Sequence, residues 1–127
     1  MSANPPPAGA TGLLLSDDLL FSSRITSTAR DHGLQIKPAR SAATLVTLAA
    51  QECPRCIILD LNYPGLQLGE LLASLRQTCS RLPRLIAYGS HVDAAGLRAA
   101  REAGCEVVLP RSKFVEELPH AIVDWMS

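Results

Sequence analysis

An excess of charge is missing from this sequence: 12 Lys and Arg balance 12 Asp and Glu. No net field therefore draws the chain to nucleic acid or to an anionic membrane, and no local basic patch stands out. Long hydrophobic runs are missing as well. The apolar runs, such as Leu13 to Leu15 and Cys56 to Leu59, are far too short to span a bilayer. The N-terminus has neither the basic start nor the continuous apolar stretch of a signal peptide, so a cytoplasmic protein is the expectation. A Gly-rich phosphate loop, a G-x-G-x-x-G fingerprint and a Ser-His-Asp nucleophilic set are also absent, and the chain is not expected to be an enzyme.

Hydrophobic residues make up 47% and charged residues 19% of the 127. That composition can bury a core, and the length suits one domain. Residues 1–12, with three consecutive prolines and small neighbours, read as a disordered tail of polyproline character. Residues 13–127 are then the folded domain. Four cysteines (Cys53, Cys56, Cys79, Cys105) are present; without a secretory signal, reduced structural thiols are expected.

Beyond the tail, the hydrophobic pattern alternates. Leu13 to Leu15 is a short strand ending at Ser16-Asp17-Asp18. Phe21, Ile25, Thr28 and Ala29 recur at helical spacing, and Gly33 closes that segment. Leu34 to Ala39 is a weak strand. Ser41 can N-cap a helix carrying Leu45, Leu48 and Ala49, which Pro54 stops. Cys56 to Leu59 is apolar throughout, as a strand covered on both faces must be. Leu68, Leu71, Leu72, Leu75 and Cys79 mark a helix, and Arg84 to Tyr88 a fourth strand. Asp93 caps a helix through Leu97, Ala100 and Ala103 that ends at Gly104. Val107 to Leu109 is a fifth strand, followed by helical spacing at Val115, Leu118, Ile122 and Trp125. Pro119 falls inside that pattern, so the last regular helix is expected to begin near it rather than at Lys113.

Five strand–helix units in strict alternation call for a parallel sheet with helices on both faces. The expected architecture is a flavodoxin-like, doubly wound (βα)5 α/β fold of strand order 2-1-3-4-5, whose sites form at the carboxyl ends of the strands. There the first strand ends at Asp17-Asp18 and the third at Asp60, on neighbouring strands. Crowded carboxylates repel unless a cation neutralises them. Mg²⁺ suits such a cluster, since it takes a few carboxylate oxygens, keeps several waters and accepts a phosphate oxygen. Carboxylates also serve as phosphoryl-accepting nucleophiles. Each Asp has a plainer role too: a solvated loop residue or, for Asp18, the cap of the first helix.

At these residues the sequence resembles a family. Leu13-Leu14-Leu15-Ser16-Asp17-Asp18, Ile57-Ile58-Leu59-Asp60-Leu61-Asn62-Tyr63-Pro64-Gly65, and Ala103-Gly104-Cys105 followed by Val107-Val108-Leu109 look like the acidic pair, phosphoacceptor strand and fifth-strand turn of the CheY-like receiver domain of two-component response regulators. The resemblance spans residues 13 to 126. It implies Asp60 as phosphoacceptor, with Mg²⁺ held by Asp17, Asp18, Asp60 and the backbone carbonyl of Asn62. Implied partners are a histidine kinase or phosphotransfer protein, a downstream protein partner and a second copy in a homodimer. The chain stops soon after its fifth helix, so a stand-alone receiver whose output passes through a partner is expected.

The family's phosphoryl-binding Thr or Ser is matched to Gly89, with Ser90 beside it; its Lys is matched to Arg111 and its aromatic switch residue to Val108. Arg keeps the charge but not the shape of an ammonium. Two readings follow: an atypical receiver in which Ser90 and Arg111 serve, or a degenerate pseudo-receiver acting as a phosphorylation-independent interaction or dimerisation module. A flavin binder or small enzyme of similar fold is a third. Cys53-Pro54-Arg55-Cys56 is a C-x-x-C, but it follows a helix and enters a strand, and no second pair completes a zinc site; buried structural thiols are expected. His91 and Asp93 read as loop residues beside the site, Tyr88 as a core edge or partner contact, and Trp125 and Met126 as core or interface.

Overall fold

The computed structural model describes residues 10–127. Its element order is β1 (Thr11–Leu15), α1 (Leu19–Asp31), β2 (Gln35–Ala39), α2 (Ala42–Glu52), β3 (Cys56–Asp60), α3 (Leu68–Thr78), β4 (Arg84–Gly89), α4 (Ala94–Ala103), β5 (Val107–Pro110) and α5 (Arg111–Met126). The strands form one parallel sheet of order β2-β1-β3-β4-β5, as the alternation required. β3 lies at the centre and is buried at every position, which explains its unbroken apolar run. β2 lies at an edge, where Pro38 costs the sheet little because its missing N–H has no further strand to meet.

Alternate side chains of each strand point to opposite faces and feed two cores. On one face Leu13, Leu15, Ile57, Leu59, Leu85 and Ala87 pack under α2, α3 and α4 through Leu45, Leu72, Leu75 and Leu97. On the other, Leu14, Ile58, Ile86 and Tyr88 pack under α1 and α5 through Ile25, Phe114, Leu118, Ile122 and Trp125. The helix ends follow the local chemistry. Asp18, Ser41 and Asp93 each accept a backbone N–H from three residues on, capping α1, α2 and α4. Gly104 ends α4 at φ 114°, where a Cβ would stand 2.9 Å from Arg76 Nη2.

Two boundaries differ from the sequence reading. The tail assigned to residues 1–12 is too long at its inner end: Thr11 and Gly12 belong to β1, in register with Gln35 and Ile36 of β2. The rest of that assignment, residues 1–9, lies outside the described residues. Gly12 belongs in a strand because its neighbours leave no room for a side chain: a Cβ there would lie 2.9 Å from Met126 Sδ and 3.1 Å from Cys56 Sγ. Gly12→Ala is accordingly expected to lower stability by about 1–2 kcal/mol, the overpacking cost less a small gain from stiffening the unfolded chain. A reduced urea midpoint with unchanged slope would register it.

The second boundary is α5, which begins at Arg111 and runs through Pro119 without a break. Its apolar stripe (Phe114, Leu118, Ile122, Trp125) is continuous across the proline and fully engaged with the sheet. Pro119 itself is exposed, so the backbone group it leaves unpaired lies on the solvent side, and packing outweighs the local cost.

Candidate functional site

Asp60 ends β3 at the carboxyl edge of the sheet, and parallel pairing places β1 and β4 on either side of it. The side chain is almost enclosed, with 3% of the residue exposed. Asp60 Oδ1 accepts the backbone N–H of Asn62 at 2.9 Å, and the Asp60 carbonyl accepts from Tyr63 N at 3.0 Å, so a tight turn orients the carboxylate. Burial pushes its pKa above the ordinary carboxylate range; the Asn62 N–H and Arg111 pull the other way, while Asp18 adds to the rise.

Arg111, the first residue of α5, bridges the two acids. Its Nη2 lies 3.9 Å from Asp60 Oδ2 and its Nη1 3.7 Å from Asp18 Oδ2. The guanidinium stands 4.9 Å from the centre of the Phe21 ring and 5.8 Å from that of Tyr88, distances at which a cation is held by aromatic faces. Asp18 has a double role: Oδ2 faces Arg111, and Oδ1 caps α1 by accepting from Phe21 N at 3.0 Å. Ser16, buried, accepts the Asp18 N–H at 3.1 Å and so fixes the start of that turn.

The other expected residues are less closely gathered. Asp17 is exposed and outside this bridge. Ser90 Oγ accepts from Val92 N at 3.3 Å and shapes its own loop. Ser90, Asn62, His91, Arg24 and Arg111, with Phe21 and Val115, line an open depression of about 700 Å³ beside Asp60, a mainly apolar surface edged by cationic and polar groups. Lys113 pairs with Glu116 and Glu117 on its own helix, which leaves the cationic role to Arg111. Val108 is buried on the α4 side of the sheet.

The register sets Tyr88, not Gly89, opposite Asp60. Asp60 pairs with Tyr88, and Gly89 pairs onward with Pro110. Tyr88 is thus the β4 residue alongside the carboxylate. Its side chain is fully buried, and its hydroxyl makes no well-formed hydrogen bond among the described residues. Burial first and the Asp60 charge second raise its pKa, against a smaller pull from the Ser16 side chain. A phenol kept neutral beside a buried carboxylate is a feature the sequence reading missed. The signal lay in parallel register, which requires knowing where each strand begins. Because a poorly bonded buried hydroxyl costs desolvation with little in return, Tyr88→Phe is expected to raise stability by about 1 kcal/mol. An unchanged or lower melting temperature would show that the hydroxyl is bonded in solution.

The C-x-x-C expectation also changes. Cys56 is buried with Sγ 3.4 Å from Met126 Sδ, and burial pushes its thiol up to about 12. Cys53 is exposed, contrary to the expectation of a buried pair; it follows the last turn of α2 in the left-handed conformation, which turns it out of the core.

The donor set can be weighed against Mg²⁺. Among the described residues, no three His, Cys, Asp or Glu side chains gather as a metal-binding group. Yet Asp18 and Asp60 present oxygens to one locus that a cation, the guanidinium, already approaches. Mg²⁺ asks for only one or two carboxylates and completes its shell with water, so these oxygens are ligands of the kind it takes.

No protein-family model and no curated protein sequence matches this chain. Solved structures do. A response-regulator receiver domain from Bermanella marisrubri is similar at 22% identity and a TM-score of 0.81, covering 94% of this chain and 99% of its own. A putative response regulator from Chloroflexus aurantiacus has 21% identity and a TM-score of 0.78, over 93% and 98%. The receiver domain of the Saccharomyces cerevisiae response regulator Ssk1, crystallised with the histidine phosphotransfer protein Ypd1, has 18% identity and a TM-score of 0.70, over 95% and 94%. Element order, strand order and near-complete mutual coverage agree: the fold of this chain is that of the response-regulator receiver domain.

Proposed function

We propose that this chain is a receiver-type signalling domain, not an enzyme, and that it accepts a phosphoryl group on Asp60. The observation that carries this reading is a nearly enclosed carboxylate at the sheet's carboxyl edge, sharing one guanidinium with a second carboxylate. In the transfer, an Asp60 oxygen bonds to phosphorus as the donor's P–N or P–O bond breaks. Little else is asked of the protein than position and charge neutralisation. The Asn62 N–H aims the carboxylate, Arg111 neutralises the incoming phosphoryl oxygens, and the Ser90 hydroxyl is the nearby donor on the β4 side. Asp17, Asp18, Asp60 and the Asn62 carbonyl would hold Mg²⁺. That ion would supply charge neutralisation between the carboxylates and the phosphoryl group.

The partners of this function are a histidine kinase or phosphotransfer protein as donor and a downstream protein as target, with a homodimer as one form of output. Among the described residues no helix is long and apolar enough to cross a membrane, and a cytoplasmic setting fits the phosphodonor. A specific observation favours a second reading, the phosphorylation-independent interaction module. Arg111 already neutralises both acids and is braced by Phe21, so the site is satisfied without metal or phosphate.

Titrating Mg²⁺ and beryllofluoride into the labelled protein separates the two. Shifts of the amide signals of Asp60, Asn62, Ser90 and Arg111, together with an acetyl-phosphate adduct lost in Asp60→Asn, are expected. Unmoved amides and no adduct would leave the second reading standing, in which partner binding survives Asp60→Ala.

A further inference from the structure

We propose that Cys53 and Cys79 are a redox pair that closes to a disulfide when the protein meets a peroxide. The pair lies at the edge of the sheet opposite Asp60 and is independent of the phosphoacceptor reading. Cys53 caps the C-terminus of α2 and Cys79 that of α3. These two helices pack side by side on the same face of the sheet. Both cysteines line one groove of about 530 Å³, together with Pro54, Arg55, Ser80 and Arg81. Both are free thiols, Cys53 exposed and Cys79 half-buried.

Three further observations point to this pair. Burial first, and the nearness of the Cys53 sulfur second, raise the Cys79 pKa, as expected of neighbouring thiols. Cys53 is the one non-glycine with positive φ, 47°, among the described residues. A side chain rarely adopts that conformation, and glycine or asparagine would hold it more cheaply. Cys56, the sequence neighbour in the C-x-x-C, faces the opposite side of the sheet, buried against Met126. The motif is therefore split by the sheet, and the partner of Cys53 comes from a different helix.

Exposure makes Cys53 the first to react. Its thiol gives up a proton, the thiolate attacks one oxygen of hydrogen peroxide, the O–O bond breaks, and Cys53 becomes a sulfenic acid as the leaving hydroxide takes up that proton as the first water. The Cys79 thiolate then attacks that sulfur, an S–S bond forms and the second water leaves. In total two thiols are oxidised and one peroxide is reduced to two waters. The product ties the end of α2 to the end of α3, and the loop it closes contains all of β3 with Asp60.

Trypsin cuts after Arg55, Arg76 and Arg81, so Cys53, Cys56 and Cys79 fall on three separate peptides. The folded chain is treated with a small excess of hydrogen peroxide, its remaining thiols are alkylated, and a non-reducing digest is read by mass spectrometry. The expected product joins residues 41–55 to residues 77–81, with the loss of two hydrogens, and disappears on reduction. It persists in Cys56→Ser. In Cys79→Ser it is replaced by a dimedone-trapped sulfenic acid on Cys53. A Cys53–Cys56 link, an intermolecular Cys53 dimer as main product, or an over-oxidised Cys53 beside free Cys79 would each overturn the proposal. The bond needs Cα atoms about 4.4–6.8 Å apart, a demand that the cross-link itself tests.

Discussion

Phe114→Ala is expected to cost about 3–5 kcal/mol of stability, the usual loss for truncating a fully buried Phe. Domains of this size hold about 5–15 kcal/mol in all, so at least about a fifth of the margin would go. The chain has five aromatic residues, and four of them meet at this point. Phe114 is fully buried, its ring 4.7 Å from Tyr88, 5.5 Å from Trp125 and 6.1 Å from Phe21. Removing it leaves a cavity among side chains that come from α1, β4 and α5 and cannot all collapse into it. Two of its neighbours, Phe21 and Tyr88, brace Arg111, so the variant also loosens the guanidinium over Asp60. Urea unfolding measures the first effect. Phe114→Leu, which keeps most of the volume, should lose less than about 1.5 kcal/mol; equal losses in the two variants would place the cost elsewhere than in the cavity.

Asp60→Asn is expected to have the opposite sign on stability while abolishing any phosphoryl adduct. The isostere keeps the acceptor for the Asn62 N–H but removes a charge that burial disfavours. Arg111 keeps Asp18 and is partly exposed, so losing its second partner costs little. A gain on the order of 1 kcal/mol, roughly 3–5 °C in melting temperature, follows. The pH dependence has a definite sign. The folded pKa of Asp60 is raised above its unfolded value, which is near 3.9, so between the two the native state binds the extra proton. Stability therefore falls as pH rises through that window, and the penalty is complete above it. The stability difference between the wild type and the Asp60→Asn variant, measured with chelator present, should be near zero at the acidic end and grow to its full size by neutral pH. A difference independent of pH would show that the carboxylate is not desolvated.

Much of this fold was legible along the chain. Ser41 and Asp93 announced helix starts, Gly104 a helix end, and the run Cys56 to Leu59 a central strand, because caps and periodicity act within a few residues. Pro119 misled for the same reason: taken locally it breaks a helix, and only the stripe from Phe114 to Trp125, docked on the sheet, holds α5 together through it. Thr11 and Gly12 looked like tail because a glycine a few residues after a proline run has no signal of its own; pairing with Ile36 and Cys56, remote in sequence, makes it part of β1.

The candidate site divides along the same line. Asp17, Asp18 and Asp60 are strand-end residues, and alternation plus chain order sufficed to bring two of those strands side by side. The pairing of Asp60 with Tyr88 rather than Gly89 depended on where β3 and β4 start relative to each other, a matter of hydrogen bonds between strands. The reach of Arg111 to both Asp18 and Asp60, and the packing of Cys56 on Met126 while Cys53 faces the groove it shares with Cys79, likewise bring together segments far apart. Element type, order and strand-end chemistry are thus properties of short stretches of sequence, whose energetics are local. Register, burial and the choice of partner for each charge and thiol arise only when the layers pack, because those energies belong to pairs that the chain does not place together.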